Sequence, residues 1–223
     1  MTDERWAEVD RYLSDLFIGA DASLDAAIEA NSAADLPAIA VSPNQGKLLH
    51  LLARLQGARN ILEIGTLGGY STIWLARAVG AGGRVTTLEV NAKHAEVAAA
   101  NIARAGLADV VTVRVGLAIE TLPALEREGL GPFDVIFIDA DKKGIPDYFT
   151  WALRLARKGS LIIVDNVIRD GAVVDAASTD ENVIGVRRFN ELAAKEPRVT
   201  ATTIQTVGVK GYDGLTFLLV TES

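Results

Sequence analysis

The stretch "NILEIGTLGGYSTIWLARAV", residues 60–79, joins a short apolar run to a longer apolar segment through three glycines. The first run has the length and branched side chains of a buried strand, and the last ten residues have helical spacing. Gly65, Gly68 and Gly69 lack a Cβ, so the backbone between the two segments can turn tightly and approach a ligand closely. The stretch therefore predicts a strand, a tight turn and a helix, the repeating unit of an α/β sheet.

Further units of the same kind follow along the chain. Four more short apolar runs predict strands, namely "RVTTLEV", "VVTVRVG", "FDVIFID" and "SLIIVDN", and helical segments such as "AKHAEVAAANIARAG" and "IPDYFTWALRLAR" separate them. This alternation indicates a parallel sheet covered by helices on both faces. A helix near residues 183–195 and two last strands, "VTATTIQTV" and "GLTFLLVT", follow. We therefore expect an α/β fold with a mostly parallel seven-stranded sheet and an antiparallel edge hairpin.

The first 57 residues predict helices that precede the sheet. Residues 3–18 and 21–33 are amphipathic, and "VSPNQGKLLHLLARLQG" has Ser42 as a candidate N-cap, Pro43 in the first helical position and Gly57 at the end. Residues 1–223 are expected to form one domain. It would consist of a helical preface (1–57), a ligand-binding core (58–167) and a last part (168–223) that holds a pocket wall and the edge hairpin.

Composition excludes several classes of function. The chain has 223 residues, a net charge of −7, no long basic run and no cysteine. An acidic chain of this kind is not expected to bind nucleic acid or an anionic membrane as its main partner. The polar N-terminus is unlike a signal peptide, and no apolar run reaches the ~20 residues of a spanning helix. We expect a soluble, cytoplasmic protein that acts on small molecules.

Polar residues at the predicted strand ends indicate a nucleoside site. Ligands of open α/β sheets lie beyond the carboxyl ends of the strands, and Glu89 ends the second strand at the position where a carboxylate commonly accepts ribose hydroxyls. The alternative is a purely structural role, in which the glycines only close a turn and Glu89 caps a helix. Leu67 replaces the middle glycine of the dinucleotide fingerprint, so a nicotinamide dinucleotide is disfavoured.

A second group of polar residues indicates a metal site. Asp139 ends the fourth strand, and Asp165 and Asn166 end the fifth. Adjacent parallel strands lie about 4.8 Å apart, so these side chains can share one ion. Two carboxylates and an amide favour Mg²⁺, with Mn²⁺ or Ca²⁺ as alternatives. The bland alternatives are a helix cap at Asp139 or Asp141 and a local turn at Asp165 and Asn166.

Four motifs in order, "ILEIGTLGGYS", "LEVN", "FIDADK" and "VDNV", resemble those of class I S-adenosylmethionine-dependent O-methyltransferases of the metal-dependent catechol and caffeoyl-CoA type. The resemblance runs from about Val41 nearly to the end of the chain. It implies a Rossmann-like methyltransferase fold and a homodimer, for which the apolar face of the N-terminal helices and the edge strand near Leu215–Val220 offer surface. By this resemblance, the residues that contact the methionine end of the cofactor are Glu63, Gly65, Gly69 and Ser71, while Val41 covers the cofactor, Glu89 binds the ribose and Ala118 contacts the adenine. The implied metal ligands are Asp139, Asp165 and Asn166, and Asp139 also borders the cofactor. Lys142 is the implied catalytic base.

The expected activity is methyl transfer to one hydroxyl of a vicinal dihydroxyphenyl acceptor. A phenol ionises only near pH ~10, and chelation by a cation favours its ionised form. Lys142, beside that cation, would lose its proton more readily and accept the hydroxyl proton. The alternatives are a regulatory protein that binds a nucleoside without catalysis and an NAD-linked oxidoreductase. The acceptor, its regiochemistry and the roles of Asp141 and Arg169 stay open.

Overall fold

A computed structural model describes residues 3–222; Met1, Thr2 and Ser223, which the predicted domain includes, lie outside the described residues. The described chain forms eight α-helices: α1 (Asp3–Phe17), α2 (Ala22–Ala33), α3 (Pro43–Leu55), α4 (Tyr70–Ala76), α5 (Ala92–Arg104), α6 (Ala118–Arg127), α7 (Ile145–Leu155) and α8 (Glu181–Lys195). Its seven strands are β1 (Asn60–Ile64), β2 (Arg84–Glu89), β3 (Val111–Val115), β4 (Phe133–Ile138), β5 (Ala156–Asp165), β6 (Val199–Gly208) and β7 (Gly211–Val220). No helix within residues 3–222 has both the length and the apolar character that crossing a membrane requires.

The strands form one seven-stranded sheet in the order β3-β2-β1-β4-β5-β7-β6. Strands β1 to β5 pair in parallel, whereas β7 is antiparallel to both β5 and β6. The predicted fold class is therefore confirmed. From β1 the chain first builds outward through β2 and β3 and then returns to the other side with β4. This reversal between β1 and β4 opens a crevice at their carboxyl ends, where ligands of such sheets bind.

The position of the last strand differs from one detail of the sequence interpretation. The sequence predicts an edge strand at residues 215–220, but β7 lies between β5 and β6, and Leu215, Leu218 and Val220 are buried. The edge strand is β6. A hairpin alone does not reveal which of its two strands joins the sheet, so the sequence could not decide this.

Each face of the sheet buries its own layer of side chains. On one face, residues such as Leu62, Ile136 and Ile162 pack with α6, α7 and α8. On the other, Ile61, Val135 and Phe137 pack with α2 to α5. Because side chains alternate along a strand, every central strand is apolar on both sides, which is why these strands appear as nearly continuous apolar runs.

Local signals account for most of the helix boundaries. The Ser42 side chain accepts a hydrogen bond from the Gln45 amide at 3.2 Å, Pro43 is the first residue of α3, and Gly57 has a positive φ of 62°. The predicted start and end of this helix are thus confirmed to within two residues. Helix α4 is shorter than predicted: it ends at Ala76, where the Ala78 amide bonds to Leu75 and tightens the last turn.

Candidate active site

A cavity of about 640 Å³ lies at the carboxyl ends of the central strands, at the crevice where the strand order reverses. Most of the residues predicted as a site line this one cavity: Val41, Gly65, Ser71, Glu89, Ala118, Asp139, Lys142 and Asn166. Residues that the sequence analysis did not assign, including Tyr148, Lys210 and Tyr212, also line it. The fold therefore brings the glycine loop, Asp139 and Asn166 into one space, whereas Asp165, which is buried, is absent from the lining.

The glycine loop is held close to the end of β4. Gly65 has a φ of 100°, and a Cβ at this position would lie 1.9 Å from the backbone oxygen of Asp139. The Asp139 amide in turn donates to the Ile64 carbonyl at 2.9 Å. Any side chain at residue 65 would force the two strand ends apart, so glycine is required here for the close approach.

Glu89 organises this loop through backbone amides. One carboxylate oxygen accepts hydrogen bonds from the Thr66 amide at 3.2 Å and the Leu67 amide at 2.8 Å. The other oxygen accepts from the Asn91 amide at 2.9 Å. Asn91, not Glu89, caps α5. The alternative that Glu89 is a helix cap is therefore wrong, and its expected bond to a ribose stays a prediction that fits its place in the cavity wall.

Glu63 lies outside the cavity lining and is completely buried. Its carboxylate accepts hydrogen bonds from the hydroxyls of Ser71 at 2.7 Å, Thr72 at 2.5 Å and Thr87 at 2.7 Å. Burial raises the pKa of Glu63 to about 7, although the three hydroxyls act in the opposite direction. In this structure Glu63 contacts Ser71, which does line the cavity, so its reach toward a cofactor is indirect. Gly69, at the start of α4, is also absent from the lining.

The acidic ends of β4 and β5 come together. Asp165 is only 5% exposed. One of its carboxylate oxygens accepts a hydrogen bond from the backbone amide of Asn166 at 2.6 Å, and the other accepts one from Gln45 Nε2 at 2.5 Å. Burial, and next the charge of the neighbouring Asp139, raise the pKa of Asp165 to about 7. Asn166 adopts a φ of 58°, a left-handed conformation that asparagine tolerates. Two repelling carboxylates beside an amide are a donor set that suits a hard divalent cation.

The described residues offer no other set of side chains that could hold a metal ion. Within residues 3–222 there is no cluster of three or more His, Cys, Asp or Glu suited to a metal ion. A cation here would therefore depend on the amide oxygen of Asn166 as a third protein ligand. That composition disfavours zinc, which prefers sulfur and imidazole ligands.

The charged residues that follow β4 make different contacts. Lys142 Nζ donates to Asp139 Oδ1 at 2.8 Å, and its side chain is 12% exposed. Asp141 accepts hydrogen bonds from the Gly144 amide at 3.0 Å and the Tyr148 hydroxyl at 2.5 Å, so it caps a single turn of helix at Lys142–Gly144. Lys143 points to Glu181 at the surface. Of the two lysines, Lys142 is the one placed at the cavity.

Long-range contacts shape the other wall. Asp213 Oδ1 accepts hydrogen bonds from the amides of Ile168 at 2.9 Å, Arg169 at 3.1 Å and Gly214 at 3.0 Å. Lys210 donates to the Ala38 carbonyl at 2.9 Å. Sequence reasoning missed these residues and Gln45 because their partners lie far away in the chain. The only local signal, the order Ser42-x-x-Gln45, suggests a helix cap and not a tertiary contact.

Comparison with known proteins finds similar sequences and structures. The profile of the O-methyltransferase family matches residues 20–219. A catechol O-methyltransferase of Niastella koreensis is 55% identical over 220 residues, which cover 99% of this chain and 100% of the relative. The structure is similar to that of an O-methyltransferase from Bacillus cereus in complex with S-adenosylhomocysteine, with a TM-score of 0.98, 58% identity and coverage of 99% and 100%. It is also similar to TomG of Streptomyces achromogenes in complex with S-adenosylmethionine, with a TM-score of 0.96, 55% identity and coverage of 99% of each chain.

Proposed function

The chain belongs to the S-adenosylmethionine-dependent O-methyltransferase family, and we propose that its acceptor is a catechol whose adjacent hydroxyls bind a divalent cation. The observation that carries this proposal is that one cavity joins the glycine loop to Asp139 and Asn166, the residues that directly follow β4 and β5. The name of the Niastella koreensis relative supports a catechol as the acceptor class. The family assignment removes the support for an NAD-linked oxidoreductase.

The proposed roles follow from where the side chains lie. Asp139, Asp165 and Asn166 would hold the cation, and the loop organised by Glu89 would hold the nucleoside. When bound, a divalent cation would stabilise the phenolate form of a chelated hydroxyl, which otherwise ionises only near pH ~10. Lys142 Nζ, at the cavity wall, would take the proton of the attacking hydroxyl. Gly65 keeps the glycine loop against the end of β4, so nucleoside and acceptor would lie next to each other.

Removal of the cation and of Lys142 tests the proposal in separable ways. Methylated product formed from a simple catechol is measured by mass spectrometry with Mg²⁺, after chelation with EDTA, and after Mg²⁺ is added back. Chelation should abolish turnover and Mg²⁺ should restore it, while the affinity for S-adenosylhomocysteine stays within about threefold. Asp165→Ala should behave like chelation.

A matched pair of lysine variants tests the proton acceptor. Lys142→Ala should lower kcat by about 100-fold or more, because general base catalysis is worth roughly 10²–10⁴. Lys143→Ala removes the same charge one residue away, at an exposed position, and should leave kcat unchanged. Equal rates for both variants would show that Lys142 is not the proton acceptor. Full turnover in EDTA would contradict the cation, and a chain that never turns over a catechol would favour a non-catalytic, nucleoside-binding regulator.

We also propose a homodimer, formed through the apolar face of α1. Three large side chains of this helix are well exposed: Tyr12 at 63%, Leu16 at 58% and Phe17 at 69%. A contiguous apolar face of this kind is typical of an interaction surface. Light scattering should give a mass of about twice the 23.6 kDa of the chain. A monomer at micromolar concentration would contradict this proposal.

A further inference from the structure

Gln45, in the first turn of α3, forms a hydrogen bond with the carboxylate of Asp165 at the end of β5. Its Nε2 donates to Asp165 Oδ2 at 2.5 Å across 120 residues of sequence. We infer that Gln45 is a positioning residue, which sets the orientation of the Asp165 carboxylate for the cation. This inference rests on the proposed function, because it concerns the same cation site.

The contact fixes the Asp165 carboxylate at both of its oxygens. Oδ1 accepts a hydrogen bond from the backbone amide of Asn166 at 2.6 Å, and Oδ2 accepts one from Gln45 Nε2 at 2.5 Å. Rotation of the carboxylate would break both hydrogen bonds at once. Each carboxylate oxygen has about two lone-pair sites, so one site on each oxygen stays available for a cation. The plane of the ligand is therefore set before any ion binds.

The chain gives up a local hydrogen bond to make this contact. Ser42 and Gln45 stand three residues apart at the start of α3, the spacing of a capping box, in which the side chain of the later residue accepts from the amide of the first. One half of that motif forms, since the Ser42 side chain accepts the Gln45 amide at 3.2 Å. Among the described residues, the hydrogen bond found for the Gln45 side chain is the one to Asp165, and none joins it to the Ser42 amide. The Gln45 amide group is instead directed across the molecule.

Glutamine has the chemistry that this position needs. A cation would bind the ionised form of Asp165, which only accepts hydrogen bonds, so the NH₂ end of the Gln45 amide must face Asp165 when the site is loaded. The amide brings a donor without adding a positive charge that would repel a cation. The two carboxylates of the acidic site thus have one side-chain donor each, Lys142 for Asp139 and Gln45 for Asp165. Outer partners of this kind typically contribute 10–100-fold to metal affinity.

The test compares two glutamines of the same helix region. Gln45→Met keeps the length of the side chain and removes the donor. Gln56→Met makes the same change at the other end of α3, where Gln56 Nε2 donates to the Gly159 carbonyl. Mn²⁺ is titrated into each protein with saturating S-adenosylhomocysteine, and free Mn²⁺ is measured by electron paramagnetic resonance. We expect the Mn²⁺ Kd to rise about tenfold or more for Gln45→Met and to stay unchanged for Gln56→Met.

Further readings separate positioning from a structural effect. Calorimetry should give the same affinity for S-adenosylhomocysteine in Gln45→Met as in the wild type, and its Tm should match that of Gln56→Met. A Mn²⁺ Kd within twofold of wild type in Gln45→Met would overturn the inference, as would an equal loss in both variants. If wild type and Asp165→Ala were equally unable to bind Mn²⁺, the cation site itself would fall and this inference with it. That failure is seen in the wild type and is therefore distinct from the other two.

Discussion

Replacement of Glu63 by glutamine should change how the stability of the protein depends on pH. Glu63 is fully buried, and its pKa is raised from 4.5 to about 7. The folded protein therefore favours the protonated form. This favourable contribution is present in full below pH ~4.5 and is lost as the pH rises toward ~7. The shift between the two pKa values, at ~1.36 kcal/mol per unit, amounts to roughly 3 kcal/mol. Glutamine has nearly the same shape and no charge, so Glu63→Gln removes the effect.

The assay is urea unfolding followed by tryptophan fluorescence at pH 5, 6, 7 and 8. The free energy of unfolding of wild type minus that of Glu63→Gln should fall by about 2–3 kcal/mol from pH 5 to pH 8, most steeply below pH 7. The matched control is Glu96→Gln on α5, which removes the charge of an exposed glutamate. Its difference from wild type should stay flat within ~0.5 kcal/mol. A flat difference for Glu63→Gln as well would refute the reasoning, since Glu63 would then be ionised at no cost.

Two further changes test the glycine loop. Glu89→Ala leaves the Thr66, Leu67 and Asn91 amides without their acceptor, so calorimetry should show S-adenosylhomocysteine binding weakened by about 10–100-fold; an unchanged affinity would show that Glu89 supports neither the loop nor the ribose. Gly65→Ala places a Cβ 1.9 Å from the Asp139 oxygen at a positive φ, whereas Gly57→Ala meets nothing within 4 Å at its positive φ. In chemical denaturation the first should cost on the order of 3 kcal/mol or more and the second about 1 kcal/mol, and similar costs would contradict the close approach of β1 and β4.

The features that the sequence predicts well are those with a local or periodic cause. The apolar runs of β1 to β5 and the intervening helices follow from periodicity, and parallel order places their carboxyl ends at one edge. Gly65 is recognisable because a tight turn after a strand needs it. The convergence of Asp139, Asp165 and Asn166 follows from the same logic, since each residue ends a strand or directly follows one.

The features that the sequence did not reveal depend on distant contacts. Glu63 lies one residue before the end of β1 and Glu89 ends β2, yet only Glu89 reaches the cavity. The alternation of side chains along a strand could have indicated that Glu63 is buried, because Glu63 lies on the same strand face as Ile61, which packs against α3 and α4. Gln45 and Asp213 make contacts that no spacing in the chain encodes. The interior position of β7 likewise depends on which hairpin strand pairs with β5.

The proposed function requires a cation and a catechol to meet at the acidic ends of β4 and β5. The most direct measurement is anomalous diffraction from a crystal of the protein with Mn²⁺, S-adenosylhomocysteine and a catechol. We predict one strong Mn²⁺ peak within coordination distance of Asp139, Asp165 and Asn166, with both catechol oxygens as further ligands. An ordered catechol in the cavity with no peak at these three residues, from protein that methylates the same catechol in solution, would contradict the account.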